Sequence, residues 1–193
     1  MDRIQLMEHV VKSFSENSIA VEIGTDEGNF SEKILDANKN ITLYCIDPYI
    51  SYDDYKDAIN NKTGNELFKK TSEKLISKYG DRVKIIRNFS SDKNALESIP
   101  NNIDFLYIDG NHSYKYVLED LENYFPKVKK GGIIIGDDAV DTDESKRDNN
   151  NDVLINWSYN CYGYYGVIKA FNDFIRKNNL VGSINGNQFV IKK

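Results

Sequence analysis

Three carboxylates follow short apolar runs late in the chain: Asp109 closes the run in "FLYIDGNHSY", and Asp137 and Asp138 close "IIIGDD". If these runs are neighbouring strands, the three acids converge at one sheet edge. Carboxylates at such range repel one another unless a positive charge lies between them. Mg2+ or another hard divalent ion is the natural guest, since it prefers oxygen ligands and keeps waters that a substrate can replace. The competing reading leaves Asp109 as a helix-initiating acid and Asp138 as a turn residue. His112 comes three residues after Asp109. An imidazole there can take the proton of a metal-bound hydroxyl, because it titrates near neutral pH, or it simply starts a helix. The other histidine, His9, falls on a helical pattern and carries no assigned chemistry.

A second set of polar residues follows the earlier apolar runs. "IAVEIGTDEGNF" bends through Gly24 and Gly28. A dinucleotide fingerprint needs a small residue between its glycines and a phosphate-friendly helix start; here that position is Asp26. The turn allows close backbone approach but disfavours phosphate, so it suits a ligand with a positive or zwitterionic part, whose ammonium Glu22 can serve. Asp47, in "CIDPY", comes roughly twenty residues later, where an acid typically takes ribose hydroxyls; Asp-Pro is also a common turn opener. In "RNFSSD", Ser90 and Ser91 can meet a base edge, or do nothing of the kind, and Asp92 reads as a helix cap.

These residues need a scaffold that gathers them. Ile4, Met7, Val10, Val11 and Phe14 recur at helical spacing, giving a first amphipathic helix over residues 1–17. Five strands then alternate with helices: "SIAVEIG", "ITLYCID", "RVKIIRN", "IDFLYIDG" and "GGIIIGDD". That alternation predicts a parallel sheet covered on both faces, whose ligand lies at the carboxyl ends of the strands near the reversal of strand order. The stretch from Tyr49 to Lys62 reads as loop, and Leu67, Leu75 and Ile76 lie on a helix stopped by Gly80. "AVDTDESKRDNNND" is too polar to bury and too long for an ordinary connection, so 139–163 reads as a lid-like insertion. A last helix, "YGVIKAFNDFIRKN", precedes a hairpin in which "NGN" joins "LVGSI" and "QFVIKK". The expected whole is one α/β domain over 1–193, a seven-stranded, mostly parallel sheet with a C-terminal β-hairpin.

Composition narrows the partners. With 193 residues and a formal net charge of −5, no basic face advertises nucleic acid or anionic lipid. No segment has the length of a bilayer span or the form of a signal peptide. Cys45 and Cys161 make no metal-type spacing, and a cytoplasmic, reducing setting is expected. The N-terminal helix and exposed aromatics offer surfaces for a homo-oligomer.

The succession "VEIGTDEGNFSEKIL", "LYCIDPY" and "DFLYIDGNHSYKYVLEDLENYFPKVKKGGIIIGDDA" resembles the class I S-adenosylmethionine-dependent methyltransferases, and more narrowly the small O-methyltransferases related to macrolide-sugar (macrocin-type) and catechol enzymes. The resemblance implies a Rossmann-like doubly wound fold. It implies that Glu22, Gly24, Thr25 and Gly28 shape a pocket for the methionine end of S-adenosylmethionine, that Asp47 takes the ribose, and that Ser90 and Ser91 approach the adenine. It places Mg2+ on Asp109, Asp137 and Asp138, with Asp109 also bordering the cofactor and acting in catalysis beside His112 as base. The lysine base of catechol-type enzymes has no counterpart here, which argues against a catechol; the histidine base and the aromatic lid favour a carbohydrate acceptor, with a natural-product phenol or a tailoring-pathway intermediate as the alternative. Trp157, Tyr159, Tyr162, Tyr164 and Tyr165 in "NWSYNCYGYY" supply aromatic faces for stacking on such an acceptor or for packing under the last helix. The rival readings are a metal-independent methyltransferase, an NAD-dependent oxidoreductase on the same sheet, and a cofactor-binding module without catalysis.

Overall fold

The computed structural model describes residues 1–53, 55, 64–158 and 161–193, without the side chains of Trp157, Ser158 and Cys161. Tyr159 and most of the expected loop from Tyr49 to Lys62 (positions 54 and 56–62) therefore lie outside the described residues.

The chain runs α1 (Arg3–Val11), β1 (Ser18–Ile23), α2 (Asn29–Ala37), β2 (Ile41–Ile46), α3 (Asn65–Tyr79), β3 (Val83–Ile86), α4 (Lys93–Ser98), β4 (Ile103–Ile108), α5 (Tyr114–Tyr124), β5 (Val128–Gly136), β6 (Val153–Ser158), β7 (Cys161–Tyr165), α6 (Val167–Lys177), β8 (Gly182–Asn185) and β9 (Gln188–Lys192). Seven strands form one sheet in the order β3-β2-β1-β4-β5-β9-β8. β3, β2, β1, β4 and β5 are parallel, while β9 runs antiparallel to β5 and pairs with β8 as a hairpin. Strand order reverses between β1 and β4, so a crevice opens at their carboxyl ends, as doubly wound sheets require. This is the Rossmann-like architecture that the strand and helix alternation predicts.

The period-two alternation of strand side chains divides the core into two layers. Ala20, Leu43, Phe105, Tyr107 and Ile135 face one side, where Leu6, Met7 and Val11 of α1, Ile34 and Leu35 of α2 and Leu75 of α3 cover them. Val21, Ile23, Leu106, Ile108 and Ile134 face the other, beneath Val117 and Leu121 of α5 and Phe171 and Phe174 of α6. β4, central in the sheet, is buried along its whole length. Among the described residues no helix is long and apolar enough to cross a membrane.

The helix expected over Leu67, Leu75 and Ile76 forms as α3, with Leu75 buried and Ile76 half exposed. Local expectations need adjusting in three places. Asp92 stands at the N-cap of α4 but makes no side-chain capping bond. The segment after β5 is not a featureless loop: β6 and β7 form an antiparallel two-stranded sheet of their own. Nor is it too polar to bury. Asp141 has no exposed surface, and its carboxylate accepts from Arg147 Nη1 at 2.9 Å and from the N–H groups of Ile168 at 2.8 Å and Lys169 at 3.3 Å. A distant aspartate thus satisfies the open amides at the start of α6, whose own N-cap, Gly166, has no side chain to offer.

Candidate active site

One backbone ladder sets the residues that follow four parallel strands. Asp47 N–H donates to Ile86 O (3.1 Å), Gly24 N–H to Ile46 O (2.9 Å), Asp109 N–H to Ile23 O (2.8 Å) and Asp137 N–H to Ile108 O (2.9 Å). Each residue just beyond a strand is thereby stitched to the last residue of its neighbour. Asp47, Gly24, Asp109 and Asp137 form a continuous row along the crevice.

Gly24 is where two chains come closest. A Cβ at this position would lie 1.9 Å from Asp109 O and 2.8 Å from Gly110 Cα, and its φ of +91° is left-handed besides. Only glycine lets the β1 turn and the β4 end share this space. The turn beyond it wraps around Asp47: Oδ2 accepts from the N–H groups of Thr25 (3.1 Å) and Asp26 (3.0 Å), and Oδ1 from Tyr49 N–H (2.7 Å). Burial raises the Asp47 carboxyl above its ordinary value, and these three N–H groups oppose that rise.

Above the row lies a cleft enclosing about 860 Å³ of atom-free space, part of it open to solvent. Gly24, Asp47, Ser90, Ser91 and Asp109 all line it, with Tyr52, Phe89 and Tyr116 as aromatic walls. Asp120 of α5 also faces the cleft and had no signal in the sequence beyond an acid on an amphipathic helix. Burial pushes its carboxyl up to about 7, against a hydrogen bond with the Ser90 side chain.

Three expected pocket residues do not reach the cleft. Glu22 is buried beneath the turn, where the Ser31 hydroxyl donates to its carboxylate. Burial pushes Glu22 up to about 8, so its charge is suppressed rather than offered to a ligand. Gly28 starts α2 in a left-handed conformation against Thr71 and Leu75 of α3, and Thr25 is buried behind the turn. These residues shape the turn from behind.

At the β4–β5 end, His112 Nε2 lies 3.3 Å from Asp138 Oδ2 and 3.6 Å from Asp109 Oδ1. One donor atom from each of Asp109, His112 and Asp138 falls within 4.8 Å of the others. Asp138 adopts a left-handed φ of +53°, an uncommon conformation for a non-glycine residue that aims its side chain into this group. Burial pushes the Asp109 carboxyl up to about 6, the neighbouring His112 imidazole opposes the rise, and repulsion from Asp137 adds to it.

Asp137 is placed elsewhere. Its Oδ2 accepts from Arg3 Nη1 at 2.6 Å and Tyr107 OH at 2.9 Å, and its Oδ1 accepts from Gln188 Nε2 and Asp138 N–H, both at 2.8 Å. Burial alone would raise this carboxyl, but the bonds from Gln188, Arg3, Asp138 N–H and Tyr107 hold it below its ordinary value. Of the expected ion-binding set, Asp137 has both oxygens engaged by these four donors, while Asp109 and Asp138 group with His112. His112 takes the third place in the group, and Arg3 supplies the positive charge on the other side of Asp109. Arg3 escaped the sequence reading because it sits in an isolated amphipathic helix far from either aspartate.

A doubly wound sheet with a glycine turn at its switch point, a cleft over that turn and an acid–histidine group at one end is the architecture of a class I S-adenosylmethionine-dependent methyltransferase. Residues 21–139 match the family described as "Methyltransferase domain", and the chain belongs to that family. It is similar to an uncharacterized protein of Acanthamoeba polyphaga mimivirus, 31% identical over 140 residues, a match covering 70% of this chain and 58% of that one. The match thus spans less than two thirds of its relative's length. Among solved structures, a Staphylococcus aureus protein provisionally named a caffeoyl-CoA O-methyltransferase shares the fold at a TM-score of 0.68 and 16% identity, covering 100% of this chain and 85% of that one. A Streptococcus mutans structure in complex with S-adenosylhomocysteine (SAH) superposes at a TM-score of 0.64 and 14% identity, covering 100% and 98%.

Proposed function

We propose that the protein transfers the methyl group of S-adenosylmethionine to a hydroxyl of a small, polyhydroxylated acceptor, a sugar or sugar-like metabolite. The observation that carries this reading is the position of Asp109, which lines the cleft and also stands beside His112. Donor site and base thus share one residue.

The cleft suits an adenosyl group on its own chemistry. Gly24 removes the Cβ that would obstruct the close approach of β1 and β4. Asp47, Ser90, Ser91 and Asp120 all line the cleft; in this reading Asp47 takes the ribose hydroxyls and the others meet the base. When bound, the donor supplies an electrophilic methyl on sulfonium. The chain must then orient the acceptor oxygen and accept its proton. His112 takes that proton, and the carboxylates of Asp109 and Asp138 beside its Nε2 stabilise the resulting imidazolium. Residues 139–163 form the lid that selects the acceptor. Tyr165 already lies against His112, and the exposed ring of Tyr162 on the same hairpin is available to a sugar face. The free, buried Cys45 suits a reducing cytoplasm.

A second reading places a divalent ion on Asp109, His112 and Asp138, favoured by their grouping within 4.8 Å. Such an ion would polarise the acceptor hydroxyl. Calorimetric titration with SAH, and with NAD as control, tests the donor: SAH alone should bind. A methylation screen of free sugars and glycosides in buffer with EDTA, then with Mg2+, tests acceptor and ion. NAD binding without SAH binding would overturn the methyltransferase reading.

A further inference from the structure

Arg3 is delivered to the crevice by an ordered helix. Asp2 and Gln5 form a reciprocal capping box, with Gln5 N–H donating to Asp2 Oδ1 at 2.9 Å and Asp2 N–H to Gln5 Oε1 at 3.3 Å. Leu6, Met7 and Val11 bury the inner face of α1 in the layer formed by α2 and the sheet. With the first turn capped and the inner face packed, the side chain of Arg3 reaches the carboxyl ends of β4 and β5.

There the guanidinium is held from two sides. Nη1 lies 2.6 Å from Asp137 Oδ2 and 3.4 Å from Asp109 Oδ2. Its Cζ lies 5.2 Å from the centroid of the Phe30 ring, a cation–π distance. Phe30 in turn stacks on Tyr107 at 4.2 Å, and Tyr107 donates its hydroxyl to the same Asp137 oxygen that Arg3 contacts. Anion, aromatic face and hydroxyl thus close around a single positive group.

We propose that Arg3 is the fixed cation of this site: it occupies the place between Asp109 and Asp137 and excludes a divalent ion from that pair. A guanidinium suits the task, being weakly hydrated, permanently charged and directional in its hydrogen bonds. A divalent ion would need an Asp137 oxygen, yet Oδ2 already accepts from Arg3 and Tyr107, and Oδ1 from Gln188 and Asp138 N–H. Entry of an ion at this pair would require Arg3 to leave. The inference concerns charge balance at the sheet edge and does not depend on the identity of the methyl acceptor.

The test is Mn2+ binding by ligand-free protein, read from the electron paramagnetic resonance signal of the free ion. Arg3→Gln should bind Mn2+ at least about tenfold more tightly than wild type, since it exposes a buried carboxylate pair with no counter-charge. Arg3→Lys, which keeps the charge, should stay near wild type. The double variant Arg3→Gln/Asp137→Asn should lose the gain, which separates this pair from any ion held by Asp109, His112 and Asp138. Equal Mn2+ affinity in wild type and Arg3→Gln overturns the inference, as does a gain that survives Asp137→Asn. If Arg3→Gln does not fold alone, recovery of its native circular dichroism in Mn2+ but not in equivalent NaCl is the expected result, and no recovery overturns the inference. SAH titration of wild type reads the methyl-donor reading separately.

Discussion

His112 lies parallel to Tyr165, with ring centroids 4.9 Å apart and planes 6° from coincident. The backbone reinforces the stack: Gly166 N–H donates to His112 O at 2.9 Å, and Tyr114 N–H, two residues beyond His112, donates to Asp152 Oδ1 at 2.6 Å. Residues on both sides of the β6–β7 hairpin therefore hold the imidazole that the carboxylates of Asp109 and Asp138 face. The imidazole and the segment over it are one mechanical unit.

If His112 accepts the acceptor proton, His112→Asn should lower kcat by about 10²–10⁴ while leaving SAH affinity within about twofold, because the cleft is lined by other residues. Single-turnover kinetics with calorimetric SAH titration would read both. Normal turnover in the variant would remove the base assignment.

Gly24→Ala should fail more broadly. The methyl would fall 1.9 Å from Asp109 O, and the residue would be asked to keep a φ of +91°. Because the obstructing atoms are backbone, no rotamer change relieves the contact. The β1–β4 ends must separate, which also displaces Asp109 from His112. The expected outcome is loss of SAH binding together with a lower Tm; a variant that retains both would show that the strand ends are not close-packed in solution.

The row of strand-end residues was readable in the sequence because each parallel strand is an apolar run that stops at a glycine or an acid, and the sheet rule says where such residues gather. Asp47, Gly24, Asp109 and Asp137 were found in this way. Which acids would share a site was not readable, since it depends on partners remote in sequence: Arg3 is 106 positions from Asp109 and 134 from Asp137. The burial of Asp141 was hidden for the same reason. A lone aspartate in a polar run reads as solvated until Arg147 and the amides of α6 are known to surround it. The β6–β7 hairpin was missed because its strands adjoin that run, and its tyrosines read as candidate ligand contacts rather than as sheet formers.

Buried acids predict how stability follows pH. Burial pushes Glu22 up from 4.5 to about 8 and Asp120 from 3.8 to about 7. Each group binds its proton more tightly in the folded chain than in the unfolded one. Where the folded state holds the extra proton, stability falls as pH rises. The fall should begin near pH 4, continue to about pH 8 as the folded groups finally ionise, and then level off. Its slope is at most about 1.4 kcal/mol per pH unit for each group. Glu22→Gln and Asp120→Asn, which keep size and stay neutral, should flatten the portions below about pH 8 and pH 7 respectively. Urea unfolding of the ligand-free proteins across pH 4–9 would show it, and an unchanged slope in both variants would contradict the buried-acid account.

Arg147 and Asp141 supply the test of the lid proposed over residues 139–163. Both side chains are buried; their 2.9 Å contact folds the segment after β5 on itself, and Asp141 ties that segment to the start of α6 through the Ile168 N–H. Arg147→Met keeps much of the side-chain volume but leaves Asp141 without its cation in a buried position, which should cost about 3 kcal/mol. Asp141 still accepts from the Ile168 and Lys169 N–H groups, so α6 should remain folded. The cleft residues Gly24, Asp47 and Ser90 lie on other elements, so SAH affinity should change by less than about threefold. Acceptor handling should suffer more, because the loosened segment carries Tyr165 and its stack on His112. The expected pattern is a raised acceptor KM, a reduced kcat, faster hydrogen exchange over 141–166 and near-normal SAH binding. Equal losses in SAH and acceptor affinity would mean that this segment supports the donor cleft and does not select the acceptor.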